Sequence, residues 1–300
     1  MAHDSAAATV LRTNLADYPV TMAMKDGSVS SDIVSLDFCG PAKAHDGFKG
    51  MLRENKFDAG ELAIVTLLQA KAYGKPFVLL PIPISGRFQH HCIGFNKELG
   101  HLEPKDIEGR KVGVRTYAQT TGLWVRGILR HEYDVDLDKV TWLTIGESHL
   151  SEYSDPSNCE RLAAGSSIPK MMLDGELAAA ILGNDMPKDP RVQTLVPEPF
   201  DAAEKWYQRE GIVPINHMFV VHENISRNRP EVVQEIFRMI VESRAATPSS
   251  KMPSVFPPIG LEANRNVLQM AIDWSLEQKI IPRRLEVDEL FDATTAALQA

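Results

Sequence analysis

The chain has 300 residues, 44% of them hydrophobic and 24% charged, a composition ordinary for globular proteins and long enough for about two domains. A formal net charge of −8 argues against a generic nucleic-acid or anionic-membrane surface. No run of about 18 apolar residues is present to span a bilayer.

The N-terminus, MAHDSAAATV, has Asp4 where a secretory leader would carry positive charge, and no apolar segment follows. A cytoplasmic location is the expectation. Cys39, Cys92 and Cys159 are odd in number, far apart and without metal-like spacing, which reads as reduced packing thiols.

Val10–Leu15 reads as a first strand, ended by Ala16-Asp17-Tyr18-Pro19. Asp32–Phe38 alternates as a half-buried strand, Lys43–Glu54 is helical, and Phe57–Glu61 leads into an apolar helix over Leu62–Tyr73. Phe77–Ile82 is a buried strand and His91–Phe95 another. Lys111–Val114 is a strand, followed by the polar turn Arg115–Thr121 and a helix with a Trp/Ile/Leu face running to Tyr133. Val140–Leu143 is a strand and residues 146–166 a polar loop. Ile168–Asp174 is helical, Ala178–Leu182 a short strand, and Ala202–Glu210 a helix with Trp206 and Tyr207. Met218–Val221 is a strand. Pro230 opens a helix with Val232, Val233, Ile236, Phe237, Ile240 and Val241 on one face. A Pro/Ser-rich loop at 247–260, a helix over Leu261–Lys279 and a short helix from Val287 complete the chain. Strands alternating with helices imply α/β lobes with mainly parallel sheets. Breaks near 96–104 and 208–216 suggest one domain inserted in another.

Polar turns at strand ends are where such folds bind ligands. They carry Asp17 and Tyr18, Ser85 through His91, Arg115 through Thr121 with Thr116, Tyr117, Gln119 and Thr120 among them, and Asn184 with Asp185; Glu61, Asn216 and His217 flank buried stretches. Arg115–Thr121 presents N–H groups at a helix start, suited to a carboxylate or phosphate; the plainer reading is that its threonines cap the helix. Arg87 is a bidentate clamp for a carboxylate or an ordinary solvated arginine. His90 and His91 alternate if they sit on a strand edge, so one at most faces inward as a proton shuttle. Glu61 is a helix-start charge or a general acid/base, and His217 a buried structural histidine or a proton donor. His90, His91, His217 and Glu61 form no tight metal motif, so no cofactor is assigned, with a metal left open. No phosphate loop, dinucleotide fingerprint or Gly-x-Ser-x-Gly elbow occurs.

Taken in order, several segments resemble the 4,5-dihydroxyphthalate decarboxylase family, which is built on the type II periplasmic-binding-protein fold. They are Phe57-Asp58 with Glu61, Phe88 and His90, Gly109 through Val114, Tyr117 and Thr120. Further along are Arg126-Gly127, His131-Glu132-Tyr133, Tyr207, Gly211-Ile212, Pro214-Ile215, His217 and Glu262 through Arg265. The resemblance implies two α/β lobes, residues 1–98 plus 214–300 and residues 103–210, hinged near 99–102 and 211–213, with the ligand between them. It implies an aromatic or small carboxylic acid as ligand. His217, His90 and Glu61 would be catalytic, and Asp17, Tyr18, Arg87, His91, Thr116, Tyr117, Gln119, Thr120, Asn184 and Asn216 would bind it. The chain departs from the family pattern at Gly86 through His91, where Arg-x-Phe-Arg-His-Ser is usual. It departs again at Thr116, often acidic, and at Ala63, usually Ser.

Two functions follow as expectations: a decarboxylase of a hydroxylated aromatic acid such as a dihydroxyphthalate, or a non-catalytic solute-binding protein for a small organic anion, as transport receptor or sensor. A pyrimidine- or menaquinone-pathway enzyme on the same fold is a weaker third. No nucleic-acid partner or membrane span is expected, and a homo-oligomer, through the 247–260 loop, stays open.

Overall fold

The computed structural model describes residues 8–299. The reading of the extreme N-terminus as leaderless lies outside them. Among the described residues no helix is long and apolar enough to cross a membrane.

Eleven strands form two sheets among those residues: β1 (Thr9–Asn14), β2 (Val34–Asp37), β3 (Ala59–Ala63), β4 (Phe77–Gly86), β5 (Ile93–Asn96), β6 (Lys111–Val114), β7 (Thr141–Thr144), β8 (Cys159–Arg161), β9 (Ala179–Ile181), β10 (Val192–Thr194) and β11 (Ile215–His222). The chain divides into two compact units. The first holds the chain up to Arg87, Ile215–Ile272 and the segment from Leu285; the second holds Phe88–Pro214 and Asp273–Arg284.

The first unit carries the sheet β2-β1-β3-β11-β4. β1 runs parallel to β2 and β3, and β11 runs antiparallel to both β3 and β4. The sheet is therefore mixed rather than mainly parallel, because the late strand β11 inserts between two early ones. β4 continues past its expected end at Ile82, through Pro83, to Gly86. It can do so because it is an edge strand, where a missing N–H breaks no interior ladder. The apolar face read from Val232, Val233, Ile236, Phe237 and Ile240 packs on Leu11, Val34, Ile82 and Val221.

Ala59–Ala63 was expected to lead into a helix with Glu61 at its start. It is a fully buried strand, and the helix begins only at Ile64. Gly60 explains the difference. Its φ is +147°, and a Cβ there would stand 2.2 Å from the Asn14 carbonyl oxygen. Only glycine lets β3 approach β1 this closely.

The second unit carries β10-β5-β9-β6-β7-β8, with three parallel and two antiparallel pairings. Leu143, Ile168, Met172, Leu177 and Ala180 pack together against it. Residues 88–98, expected in the first lobe, belong here because β5 pairs with β9 and β10. The expected hinge at 99–102 falls inside this unit for the same reason. Residues 273–284 also join it: Gln278 donates to the Leu123 carbonyl (3.0 Å), and the Trp274 ring lies where a Gly127 Cβ would be, at 1.9 Å. The strand expected at His91–Phe95 begins at Ile93, after a single 3-10 turn at His90–Cys92. Strand alternation therefore does not decide which of the two histidines faces inward.

Candidate functional site

In the first unit, β3 and β11 build a polar cluster. Their register sets Glu61 opposite Phe219 and His217 opposite Ala63. Directly opposed residues share a face of an antiparallel pair, so Glu61 and His217 are diagonal neighbours on one face. Glu61 is fully buried and every observed bond to it is charge-assisted or at a backbone donor. The Ala16 N–H donates to Oε1 (2.8 Å), and the Tyr18 hydroxyl (2.9 Å) and His217 Nδ1 donate to Oε2. Tyr18 Oη also stands 3.3 Å from His217 Nδ1.

The carboxylate at Nδ1 places the ring proton there and leaves Nε2 as the imidazole's working edge. The His217 side chain retains 20% exposure while Glu61 has none. The Phe48 ring meets the imidazole edge-on at 5.7 Å. Burial, followed by the Glu61 charge and hydrogen bond, drives the Tyr18 hydroxyl far above its ordinary range, with Ser85 pulling weakly the other way. Tyr18 is thus a fixed donor, not a base. Glu61 is sealed from solvent with both oxygens engaged, Oε1 by the Ala16 N–H and Oε2 by Tyr18 and His217.

The other predicted residues of this unit differ in setting. Asp17 is 76% exposed and ion-paired with Lys25, so it points to solvent. Asn216 is half-buried and adjoins His217 along β11, where successive side chains take opposite faces. Arg87 is half-buried just beyond β4.

In the second unit, His90 is buried against the edge of Trp206, with ring centroids 5.9 Å apart. Burial first, then the positive fields of His91 and Arg209, push it down to about 4. At neutral pH this favours the uncharged imidazole. His91 stacks on the exposed Phe200 at 5.6 Å. His90, Trp206 and Arg209 line a groove of about 420 Å³ with Glu132, Asp201 and Lys205. Asn184 is exposed in a 3-10 turn at Gly183–Asp185.

Thr116, Tyr117 and Thr120 are buried, and Gln119 is half-buried, at the start of the Thr120–Tyr133 helix. The N-cap is Gln119, not a threonine, and it makes no side-chain cap bond. Among the described residues no three His, Cys, Asp or Glu side chains are grouped to hold a metal; His90 and His91 lie in one unit, Glu61 and His217 in the other. Sequence reasoning passed over Phe48, and placed Ser85 in a polar turn without tying it to Tyr18. Phe48 sits on the apolar face of the Ala44–Glu54 helix, and nothing short of the β3–β11 register ties it to His217.

No family model matches the chain. Over 212 residues it is 26% identical to a 4,5-dihydroxyphthalate decarboxylase from Comamonas testosteroni, covering 64% of this chain and 62% of that protein. Over 169 residues it is 26% identical to a protein of the same name from Pseudomonas putida, covering 52% of this chain and 65% of that one. The chain thus spans somewhat less than two thirds of the curated relatives it matches. Among solved structures, the alkanesulfonate-binding protein SsuA from Xanthomonas axonopodis pv. citri, bound to MOPS, superposes with a TM-score of 0.58 at 12% identity, over 96% of this chain and 99% of that one. The desulfurization enzyme DSZB superposes with a TM-score of 0.55 at 14% identity, over 96% and 97%. The chain therefore has the two-sheet α/β fold of SsuA-type periplasmic binding proteins, a fold shared by a binder and an enzyme.

Proposed function

We propose that the protein is a carboxy-lyase acting on a hydroxylated aromatic carboxylic acid, with His217 as its proton donor. The Tyr18–Glu61–His217 cluster carries this reading: a sealed carboxylate holds an imidazole in one tautomer, with the opposite ring edge partly exposed. A solute receptor needs groups that bind an anion. It does not need a buried carboxylate dedicated to orienting a histidine. The similarity to two proteins named for dihydroxyphthalate decarboxylation supports the same reading.

In the step proposed, a ring hydroxyl ortho or para to the carboxylate feeds electron density to the carboxylate-bearing carbon. That carbon takes the Nε2 proton of His217 acting as an imidazolium, whose Nδ1–H stays on Glu61. The bond to the carboxylate carbon then breaks, its electron pair restores the ring, and CO₂ leaves. One proton is consumed and no oxidant or reductant enters. Glu61 keeps the ring of His217 aimed, and Tyr18 holds Glu61 in place. The imidazole is then reprotonated from solvent at its exposed edge.

The likeness to SsuA favours a second reading, a solute-binding protein for an organic anion. CO₂ release from hydroxybenzoates and 4,5-dihydroxyphthalate, measured beside ligand-induced thermal shifts, separates the two. The lyase reading expects CO₂, and a fall in kcat of about 10²-fold or more in His217→Gln. Thermal shifts without CO₂ from any acid would establish the binder instead.

A further inference from the structure

Both polar anchors of His217 act on the same ring atom. Glu61 Oε2 accepts from Nδ1, and the Tyr18 hydroxyl stands 3.3 Å from that same nitrogen. Two contacts at one atom fix that atom and leave the plane of the ring to be set by something else. The last torsion of a histidine is broad and roughly two-fold, so it supplies little stiffness of its own. Any swing about Nδ1 moves Nε2, the edge that the proposed step uses.

The Phe48 ring is the contact that limits this swing. Its centroid lies 5.7 Å from that of the imidazole at an interplanar angle of 63°, within the range where aromatic rings pack edge to face. Tyr18 meets the imidazole at a longer 6.5 Å. Phe48 is itself held fast. It is fully buried on the inner face of the Ala44–Glu54 helix with Gly47, Met51 and Leu52, and that helix packs on β1 and β3. The start of the helix is pinned by Asn14, the last residue of β1, whose buried Nδ2 donates to the Ala44 carbonyl (3.0 Å). Gly47 permits this docking, since a Cβ there would stand 2.7 Å from Asn14 Oδ1. Asn14, the helix, Glu61 and His217 all belong to the first unit. A strand and a helix, each fixed on its own, therefore reach one imidazole through different contacts.

Resting on the lyase reading of the same cluster, we propose that Phe48 is a positioning residue for His217: Glu61 sets where the ring stands, and Phe48 sets the plane it stands in. A Phe48 that only filled the core would leave the motion of the His217 ring unchanged when replaced by another apolar side chain.

The test is Phe48→Leu in the full chain, with two readouts. The first is carbon-13 relaxation of the imidazole C–H groups in histidine-labelled protein, with the His217 signals assigned by their loss in His217→Gln. The ring is expected to be rigid in wild type, with an order parameter of about 0.85, and to fall below about 0.6 in Phe48→Leu. The second is turnover of 4,5-dihydroxyphthalate. The expected change is a fall in kcat of about tenfold or more with KM within about twofold. An unchanged order parameter in folded Phe48→Leu would overturn the proposal. So would losses shared equally between kcat and KM, which would put Phe48 on the ligand. If Phe48→Leu does not fold, Phe48→Met takes its place, keeping an apolar side chain of adaptable shape. A His217 ring already mobile in wild type would overturn the proposal with no variant at all. A wild type that releases no CO₂ would sink the lyase reading instead, and the relaxation measurement would still decide whether Phe48 holds the ring.

Discussion

In the proposed step His217 and Glu61 would divide two tasks between them, presenting a proton and holding the ring still. Replacing Glu61 by Gln keeps the size of the side chain and loses its charge. The expected result is a fall in kcat of about 10- to 100-fold with little change in KM, the usual cost of removing a partner that orients a working histidine. Equal losses in binding and turnover would instead place Glu61 on the ligand. His90 makes the opposite case, a histidine spent on packing. Its folded value of about 4 lies below the ordinary histidine range. Between the two values the unfolded chain binds a proton that the folded chain refuses, so stability falls as pH drops. From pH 7 to pH 5 this one group should cost about 2 kcal/mol. Urea titrations at the two pH values check it: His90→Phe should lose that much less stability over the interval than wild type does.

Glycines set the spacing of the main elements. Gly127 lets the Trp274 ring lie directly on the Thr120–Tyr133 helix. Adding one methyl should destabilise the second unit by about 1–3 kcal/mol, read as a lower urea midpoint in Gly127→Ala. Most helices were legible in the sequence from their apolar stripes, as was the Lys111–Val114 strand with its turn and helix. The β3 strand was not, because Ala59–Ala63 is buried on both faces and runs straight into an apolar helix, leaving no period to distinguish the two. The short β8 and β10 strands were not read because neither carries a buried apolar run, whereas the equally short β9 is buried throughout and was. Arg126 entered the sequence reading only as part of the resemblance; its depth and its unpartnered Nη1 are seen in the fold alone.

Over the whole molecule, what decides the candidate site is a pairing between distant parts of the chain. Glu61 and His217 are 156 residues apart and meet through the β3–β11 register. Sequence reasoning put both residues at one cleft but could not foresee their direct contact, because antiparallel insertion of a late strand between early ones leaves no local signal. The resemblance supplied the two-lobed fold, and the boundaries shifted where strand pairing and the Arg126–Gln278 bond claim segments for the second unit. The proposed step moves one proton and needs no metal, so exhaustive dialysis against EDTA should leave CO₂ release unchanged. The most direct test of the central claim is turnover of 4,5-dihydroxyphthalate in D₂O, followed by proton NMR and CO₂ detection. The account predicts one CO₂ per acid consumed and deuterium at the vacated ring carbon, with both slowed about 10²-fold or more in His217→Gln. Unchanged turnover in that variant, or tight binding by wild type with no CO₂ at all, would contradict it.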